Sequence, residues 1–399
     1  MENNTLQTSL TDLFNITTTG THQVLEFKKG INNVIVFDPG ANHTSFCKSS
    51  ISRIDGKTGQ LFYGSTPIEE KIGETDFEGL AFQLITQLDN DPSGELQFSK
   101  GMHQYFVLDA GIQAVLQHLP ASIHPMDFLL VGVTALSGIE EKYIPGNEDP
   151  LVQAQFIIAQ LFVIAAYYYQ LQHNITWNSS TSAQPVYHRF LQQVSPEKAD
   201  LYAPLFNIIL MLHAEHGQNC STATVRNIAS AGGDIYTAIA SGIAAFKGRL
   251  HGGASQYVSQ MYNEIIQRGI SASEFIAEKM GRREVIYGFG HRIYKNWDPR
   301  ARIMYNMLQS DDPVYVSVDV IRRLAFELTD RVSNDTYFTS RFIFPNPDLF
   351  NNVFYTLFGM PSSMNTVMLS LSRVAGWIAH YYENQSDRLP IIRPQELYK

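Results

Sequence analysis

The stretch Phe156–Tyr169, "FIIAQLFVIAAYYY", limits most sharply what this chain can fold into. Apart from Gln160 it is apolar on every side, so as a helix it has no face to give to water. It is too short to cross a bilayer, which takes about 20 apolar residues. A helix enclosed by other helices satisfies it. A chain of 399 residues is long enough for two domains and a large core of this kind.

Helical spacing dominates from about residue 67 onward. "ASQYVSQMYNEIIQRG" places Val258, Met261, Tyr262, Ile265 and Ile266 on one stripe, and Gly269 ends it. "DIYTAIASGIAAFKG" is rich in small residues that allow a second helix to approach closely, and it stops at Gly248. "MNTVMLSLSRVAGWIAHYYEN" sets Val367, Leu371, Val374 and Ile378 on one face. Strand signals are concentrated near the start. "NNVIVFDPG" predicts a strand stopped by a turn, and "ISRIDGKTGQLFYG" predicts a small hairpin. The first 25 residues are polar and Thr/Asn-rich and read as a loose arm. "TWNSSTSAQP" (176–185) reads as a loop. The fold class expected is therefore mostly α, with a small N-terminal β element.

Composition narrows the function. A net charge of −9 disfavours nucleic acid as main partner, because phosphate backbones demand excess Lys and Arg. Local cation clusters still allow small anions. Two distant cysteines, Cys47 and Cys220, form neither a disulfide framework nor a zinc pattern and fit a reducing, cytoplasmic compartment. "MENNTLQTSL" has no basic or apolar leader character, and no membrane segment is expected.

Four segments carry candidate chemistry. "YGFGHRIYKNWDPRA" (287–301) holds Gly288, Gly290, His291, Lys295 and Arg300. The third glycine of a dinucleotide fingerprint would fall at Ile293, and no G-K-[ST] ending follows, so neither nucleotide motif is met. Glycines there still allow a backbone to approach a flat ligand; the plainer reading is a polar turn between a strand-like "EVIY" and a helix. "HAEHGQNCSTATVR" (213–226) spaces His213 and His216 at i, i+3, which a helix would put on one face. Zincin spacing is i, i+4, and no third ligand is apparent nearby. "GRLHGGASQYV" (249–258) puts His251 at a glycine-flanked helix junction, as a ligand contact or a capping residue. In "FPNPDLFNNVFYTLFGMP" (344–361), Asp348 reads either as an N-cap or as a base.

Taken in order, these segments, with "FDPG", "CKSSISRIDG", "PIEE", "IHPMDFLLVGVTAL", "GMPSSM", "SRVAGWIAH" and "IIRPQELY", resemble the citrate synthase family from about residue 23 to the end. "VIVFDPG" and "RPQELY" are similar to the bacterial branch that assembles as hexamers of dimers. The resemblance implies a large helical domain (1–252 and 359–399) and a small one (253–358) that close on substrate. It implies condensation of acetyl-CoA with oxaloacetate, with no metal and no cofactor beyond the CoA thioester, itself a substrate. By motif, Asp348 matches the base that removes a methyl proton, His251 the donor to the thioester oxygen, and His291 the donor that polarises the ketone. His216, Arg300, Arg373 and Arg393 match oxaloacetate contacts, the last reaching over from a neighbouring subunit, so a homodimer is the smallest active unit expected. Val285, Ile286, Tyr287, Gly288 and Gly290 match the adenine loop, Lys295 a cation near the CoA phosphates, and Asn346 a pantetheine contact.

The same resemblance exposes departures. Ser255 and Gln256 replace the usual Asn and Glu after HGGA, Glu215 and Gly217 alter HADHE, and Pro347, Leu349, Asn351 and Asn352 alter PNVDFYSG. Tyr287 stands where Met or Pro is common, and residues marking NADH inhibition are not recognisable around 100–110. Three alternatives follow: 2-methylcitrate synthesis from propionyl-CoA, a weakened paralogue with a binding role, and a Gly-loop dinucleotide enzyme.

Overall fold

The computed structural model describes residues 13–19, 22–30, 34–146, 149–179 and 183–397. They fall into two units: Ser49–Ile391, and the described parts of Met1–Lys48 with Ile392–Lys399.

In the terminal unit the described part of the polar arm is not loose, while residues 1–12 and 20–21 lie outside the described residues. Strands β1 (Phe14–Thr19) and β2 (His22–Phe27) pair antiparallel, with Phe14 opposite Phe27 and their rings 4.5 Å apart. The Thr-rich composition that suggested a loop is β-branched, which suits a pleated ladder. The predicted strand in "NNVIVF" does not form over 34–38: no described residue pairs with it, and Ile35, Val36 and Phe37 are exposed. β propensity needs a partner strand, and none of the described residues supplies one.

In the main unit the predicted hairpin is present as β3 (Ser52–Asp55) and β4 (Gln60–Tyr63), with β5 (Thr66–Pro67) completing a three-stranded sheet. Its turn is set locally: Asp55 Oδ1 accepts from the backbone N–H groups of Lys57 and Thr58 at 2.9 and 3.1 Å.

The named elements that follow β5 among the described residues are all helices. The run Phe156–Tyr169 lies within a helix Pro150–His173, buried along its length, with Gln160 donating to the carbonyls of Tyr105 and Val107. At 24 residues that helix has the length and composition of a membrane span, but its apolar window is 83% covered by the protein. The helices Pro92–His103, Pro125–Leu136, Val186–Val194 and Asn365–Asp387 enclose it. Asn365–Asp387 is likewise buried on every side over its central turns rather than on one face. The small-residue helix Ile235–Phe246 packs against Cys220–Ser230, Pro125–Leu136 and Asn365–Asp387. On Ala254–Arg268, Val258, Met261, Tyr262 and Ile265 are buried as expected, whereas Ile266 is exposed. Gly269 caps that helix in the left-handed conformation.

Candidate active site

The strip 287–301 is a junction rather than a strand-to-helix turn. "EVIY" forms no strand; one bridge, Phe289 to Pro345, is all the pairing there. Gly288 and Gly290 have φ of +86° and +83°, where a side chain is strained, and a Cβ on Gly288 would lie 3.0 Å from Leu349. Their backbone is zipped to 344–346. Gly290 N–H donates to Phe344 O (2.7 Å), Asn346 N–H to Gly288 O (2.9 Å), and Asn346 Nδ2 to Gly290 O (3.1 Å). On the other side Lys295 N–H donates to Gly56 O in the β3–β4 turn at 2.7 Å. The strip thus ties the hairpin to the head of the helix Pro347–Leu357. It ends where Asp298 caps the helix Pro299–Leu308.

This junction aims His291 inward. Its Nδ1 accepts backbone N–H bonds from Ile293 (3.0 Å) and Tyr294 (3.2 Å). Only a bare nitrogen can accept them, so the neutral ring carries its proton on Nε2. Burial, aided by Arg300 and Lys295 and opposed by Asp298, pushes its pKa down to about 4. At neutral pH His291 is an uncharged N–H donor.

His216 faces it edge-on, ring centres 5.3 Å apart, with Nε2 3.3 Å from the Tyr294 hydroxyl. His213 and His216 do not share a helix face. The helix Ala199–His213 ends at the first of them, and His216 sits in the buried turn that follows. That turn is held by Glu215, whose carboxylate accepts from Ser52 Oγ and His380 Nε2, each at 3.1 Å, and from Gly217 N–H. His380 in turn accepts from Arg226 through Nδ1, and Arg226 pairs with Glu383. His216 is pushed well below the ordinary imidazole pKa by burial, then by Arg300, His291 and Arg373.

His251 turns Nε2 into the head of the helix Cys220–Ser230, 3.0 Å from Ser221 Oγ, 3.3 Å from Ser221 N and 3.2 Å from Asn219 Oδ1. Nδ1 is the nitrogen left for a ligand. Burial, then the Arg373 charge, lowers its pKa to about 4.

Two buried guanidiniums complete the floor. Arg300 forms a fork with Asp298, Nε to Oδ1 at 3.0 Å and Nη2 to Oδ2 at 2.7 Å. Burial opposes its charge, but Asp298 outweighs burial and holds it firmly protonated. Arg373 donates Nε to His213 O at 2.8 Å. Burial lowers its pKa to about 10, Glu215 opposes this, and Arg300 adds like-charge repulsion. Two buried cations that repel each other beside neutral imidazoles suit an anionic ligand, even with Asp298 and Glu215 offsetting part of their charge.

Asp348 is not the cap of its helix. Asn346 is, accepting from Asp348 N–H at 3.0 Å, so the Asp348 carboxyl is left for other work. Burial raises its pKa to about 6; Arg300, Ser255 and Asn351 pull it down and Asp298 pushes it up. That suits a base at neutral pH.

One ligand atom each from His216, His291 and Asp298 falls within 4.8 Å of the others. Both Asp298 oxygens are engaged by Arg300, and His291 Nε2 carries a proton. These atoms act as donors and counter-charge rather than as bare lone pairs for a metal.

Of the remaining sequence candidates, Val285 and Lys295 are exposed and Ile286 and Tyr287 half-buried along the run 285–295, and Asn346, half-buried, bonds to that run from the head of the helix Pro347–Leu357. Tyr287 stacks on Tyr257, ring centres 4.8 Å apart and 16° from parallel. Arg393 is exposed and belongs to the terminal unit. Sequence reading passed over Asp298 and Tyr294, and marked Glu215 only as a departure, without its link through His380 and Arg226 to Glu383. Asp298 was findable, since Asp-Pro-Arg is an N-cap signal with a cation two residues on. The buried chain joins positions more than 150 residues apart and has no local signature.

A carboxylate of raised pKa, neutral imidazole donors and buried guanidiniums on a helical scaffold suit a site that binds an anionic carbonyl compound and moves a proton. A sequence model described as "Citrate synthase, C-terminal domain" matches residues 40–395. Citrate synthase 1 of Mycobacterium tuberculosis is 33% identical over 374 residues, 91% of this chain and 86% of that protein. The crystal structure of citrate synthase from Thermotoga maritima superposes with a TM-score of 0.79 at 30% identity, covering 91% of this chain and 96% of that one. The fold is shared too with citrate synthase from Thermoplasma acidophilum, solved in ternary complex with carboxymethyl coenzyme A and oxaloacetate (TM-score 0.81, 24% identity, 91% and 96% covered). The chain belongs to the citrate synthase family.

Proposed function

We propose that this chain condenses acetyl-CoA with oxaloacetate and hydrolyses the citryl thioester, giving citrate and free CoA. The observation that carries this reading is the pair of buried, mutually repelling cations Arg300 and Arg373 beside the neutral donor His291. A dicarboxylate ketone supplies the anions the cations need and the oxygen the imidazole needs. His216 adds a further contact.

Asp348 takes a proton from the thioester methyl. That methyl is a very weak acid, so the developing oxygen charge must be stabilised in the same step. His251 does this through Nδ1. The enol carbon attacks the ketone carbon, whose oxygen is polarised by His291 Nε2–H. Water then cleaves the thioester and CoA leaves. CoA lies along Val285, Ile286, Tyr287, Gly288 and Gly290, with Lys295 near its phosphates and Asn346 near its pantetheine arm. No metal or further cofactor takes part.

Residues 253–358 close on the remainder to exclude water. Arg393 comes from a second copy of the chain, which makes a homodimer the smallest active unit, and the enzyme works in the cytoplasm.

The test is CoA release with oxaloacetate and a panel of acyl-CoA thioesters. The expected result is a higher kcat/KM with acetyl-CoA than with propionyl-CoA. One methylene in an apolar pocket is worth about 1–3 kcal/mol, so the reverse order reassigns the chain to 2-methylcitrate synthesis. No CoA release, with oxaloacetate still raising Tm, means a binding paralogue.

A further inference from the structure

We propose that Asn351 and Ser255 are positioning residues that donate to the Asp348 carboxyl from two sides, and that His213 sets the direction of Asn351. This rests on the reading of Asp348 as the base.

The geometry begins at His213. It is buried, and its Nε2 lies 2.8 Å from Asn351 Oδ1. A carbonyl oxygen only accepts, so His213 donates there and Asn351 is left with Nδ2 on its other side. Asn351 is fully buried, and Nδ2 makes no close hydrogen bond among the described residues. Ser255 Oγ, fully buried at the start of the helix Ala254–Arg268, is in the same position. A buried donor is costly to leave open unless an acceptor completes it. The acceptor that both groups bear on is the Asp348 carboxyl, whose charged form each of them favours. A flipped Asn351 would instead turn an oxygen toward a carboxylate and leave His213 without its acceptor.

The supporting frame is fixed. Asn352 Nδ2 binds Asp348 O at 2.9 Å and Ser255 O at 3.2 Å, and Asn365 Nδ2 binds Asn352 Oδ1 at 2.8 Å. One buried amide network therefore ties the backbone of the base to the backbone of Ser255, four residues after His251. Residues 255, 351 and 352 are among the positions where this chain departs from its family's commonest letters. Here they form one connected set rather than scattered drift.

The charged and titratable groups around the carboxyl are Arg300, Asp298 and Tyr355, with His213 behind Asn351. Burial drives His213 down to about 3, so it stays neutral through the working range of the base.

The decisive measurement is an infrared difference titration of the Asp348 carboxyl, each protein read against its own Asp348→Asn counterpart. It reads the carboxyl whether or not the protein turns over. The wild type should titrate at about 6. Asn351→Leu and Ser255→Ala should each titrate about one pH unit higher, the size of one lost charged hydrogen bond, and Ser255→Thr should return to the wild-type value. The acidic limb of kcat should move with the carboxyl while KM for oxaloacetate stays unchanged. Two independent variants keep the test alive if one fails to fold. Carboxyls that titrate as wild type in both variants overturn the proposal. A wild type that releases no CoA overturns the proposed function instead, and leaves the titration to decide this point.

Discussion

Asp348 stands where solvation and catalysis pull in opposite directions. Its pKa moves from 3.8 to about 6 because burial disfavours the charge more than Arg300, Ser255 and Asn351 restore it. The native state therefore holds the proton more tightly than the unfolded chain does. This favours folding below pH 3.8, and the advantage is lost as pH rises through about 6. Asp348→Asn removes the ionised form and should stabilise the protein at pH 8 by up to about 3 kcal/mol, a gain that fades below pH 4. The same substitution should abolish CoA release while leaving oxaloacetate binding nearly intact. Denaturant midpoints at both pH values, with calorimetric titration of oxaloacetate, check all three outcomes; residual turnover near wild type removes Asp348 from its role. Arg300→Leu should do the converse. It takes away half of the cationic floor and strands Asp298 as a buried, unpaired carboxylate. Oxaloacetate affinity should fall by at least about 100-fold, matching the few kcal/mol of a charged hydrogen-bonded pair, and stability should fall with it.

At the scale of elements, what was legible in the sequence was what local chemistry decides. The β3–β4 hairpin follows from Asp55 and the glycines beside it, and the Ala254–Arg268 helix from its stripe and Gly269. The Pro150–His173 helix follows from unbroken apolarity. What failed depended on distant partners. Residues 34–37 have strand character and pair with no described residue, and His213 and His216 are separated by a helix end that depends on Glu215, Ser52 and His380. The site was legible only as motifs; that Asn346 rather than Asp348 caps its helix, and that Asp298 locks Arg300, took the geometry. The close approach read from Ala and Ser in Ile235–Phe246 is real and centres on Gly242. A Cβ there would lie 2.8 Å from Val225 and 3.2 Å from Trp377, whose ring packs on Phe246 beside His251. Gly242→Ala sets a helix-propensity gain of about 1 kcal/mol against overpacking of about 1–3 kcal/mol. Overpacking wins because Val225 and Trp377 are both wholly buried. The variant should unfold at lower denaturant and lose turnover through His251; a rise in stability would mean that the helices separate freely.

Across the whole molecule, the same burial that makes a good set of donors makes an acid-sensitive fold. His213 is held at about 3, His251 and His291 at about 4, and His216 well below 6.5, in every case chiefly by burial. Each is neutral in the native state and free to protonate at its ordinary value once unfolded. Their contribution to stability is complete above 6.5 and is lost as pH falls toward their native values. Asp348 works the other way between 3.8 and about 6, but it is one group against four. Near pH 5 the unfolded chain then binds about three more protons than the native one, a slope of about 4 kcal/mol per pH unit at most. A domain with about 5–15 kcal/mol to lose cannot sustain that for long. The urea midpoint should be flat from pH 8 to 7, drop steeply between 6 and 5, and reach zero by about pH 4. His213→Gln, which keeps a donor for Asn351 and cannot titrate, should flatten the slope by about a third. A midpoint unchanged between pH 7 and 5 would mean that the imidazoles reach water in the native state. The neutral His291 donor on which the proposed chemistry depends would then be lost with it.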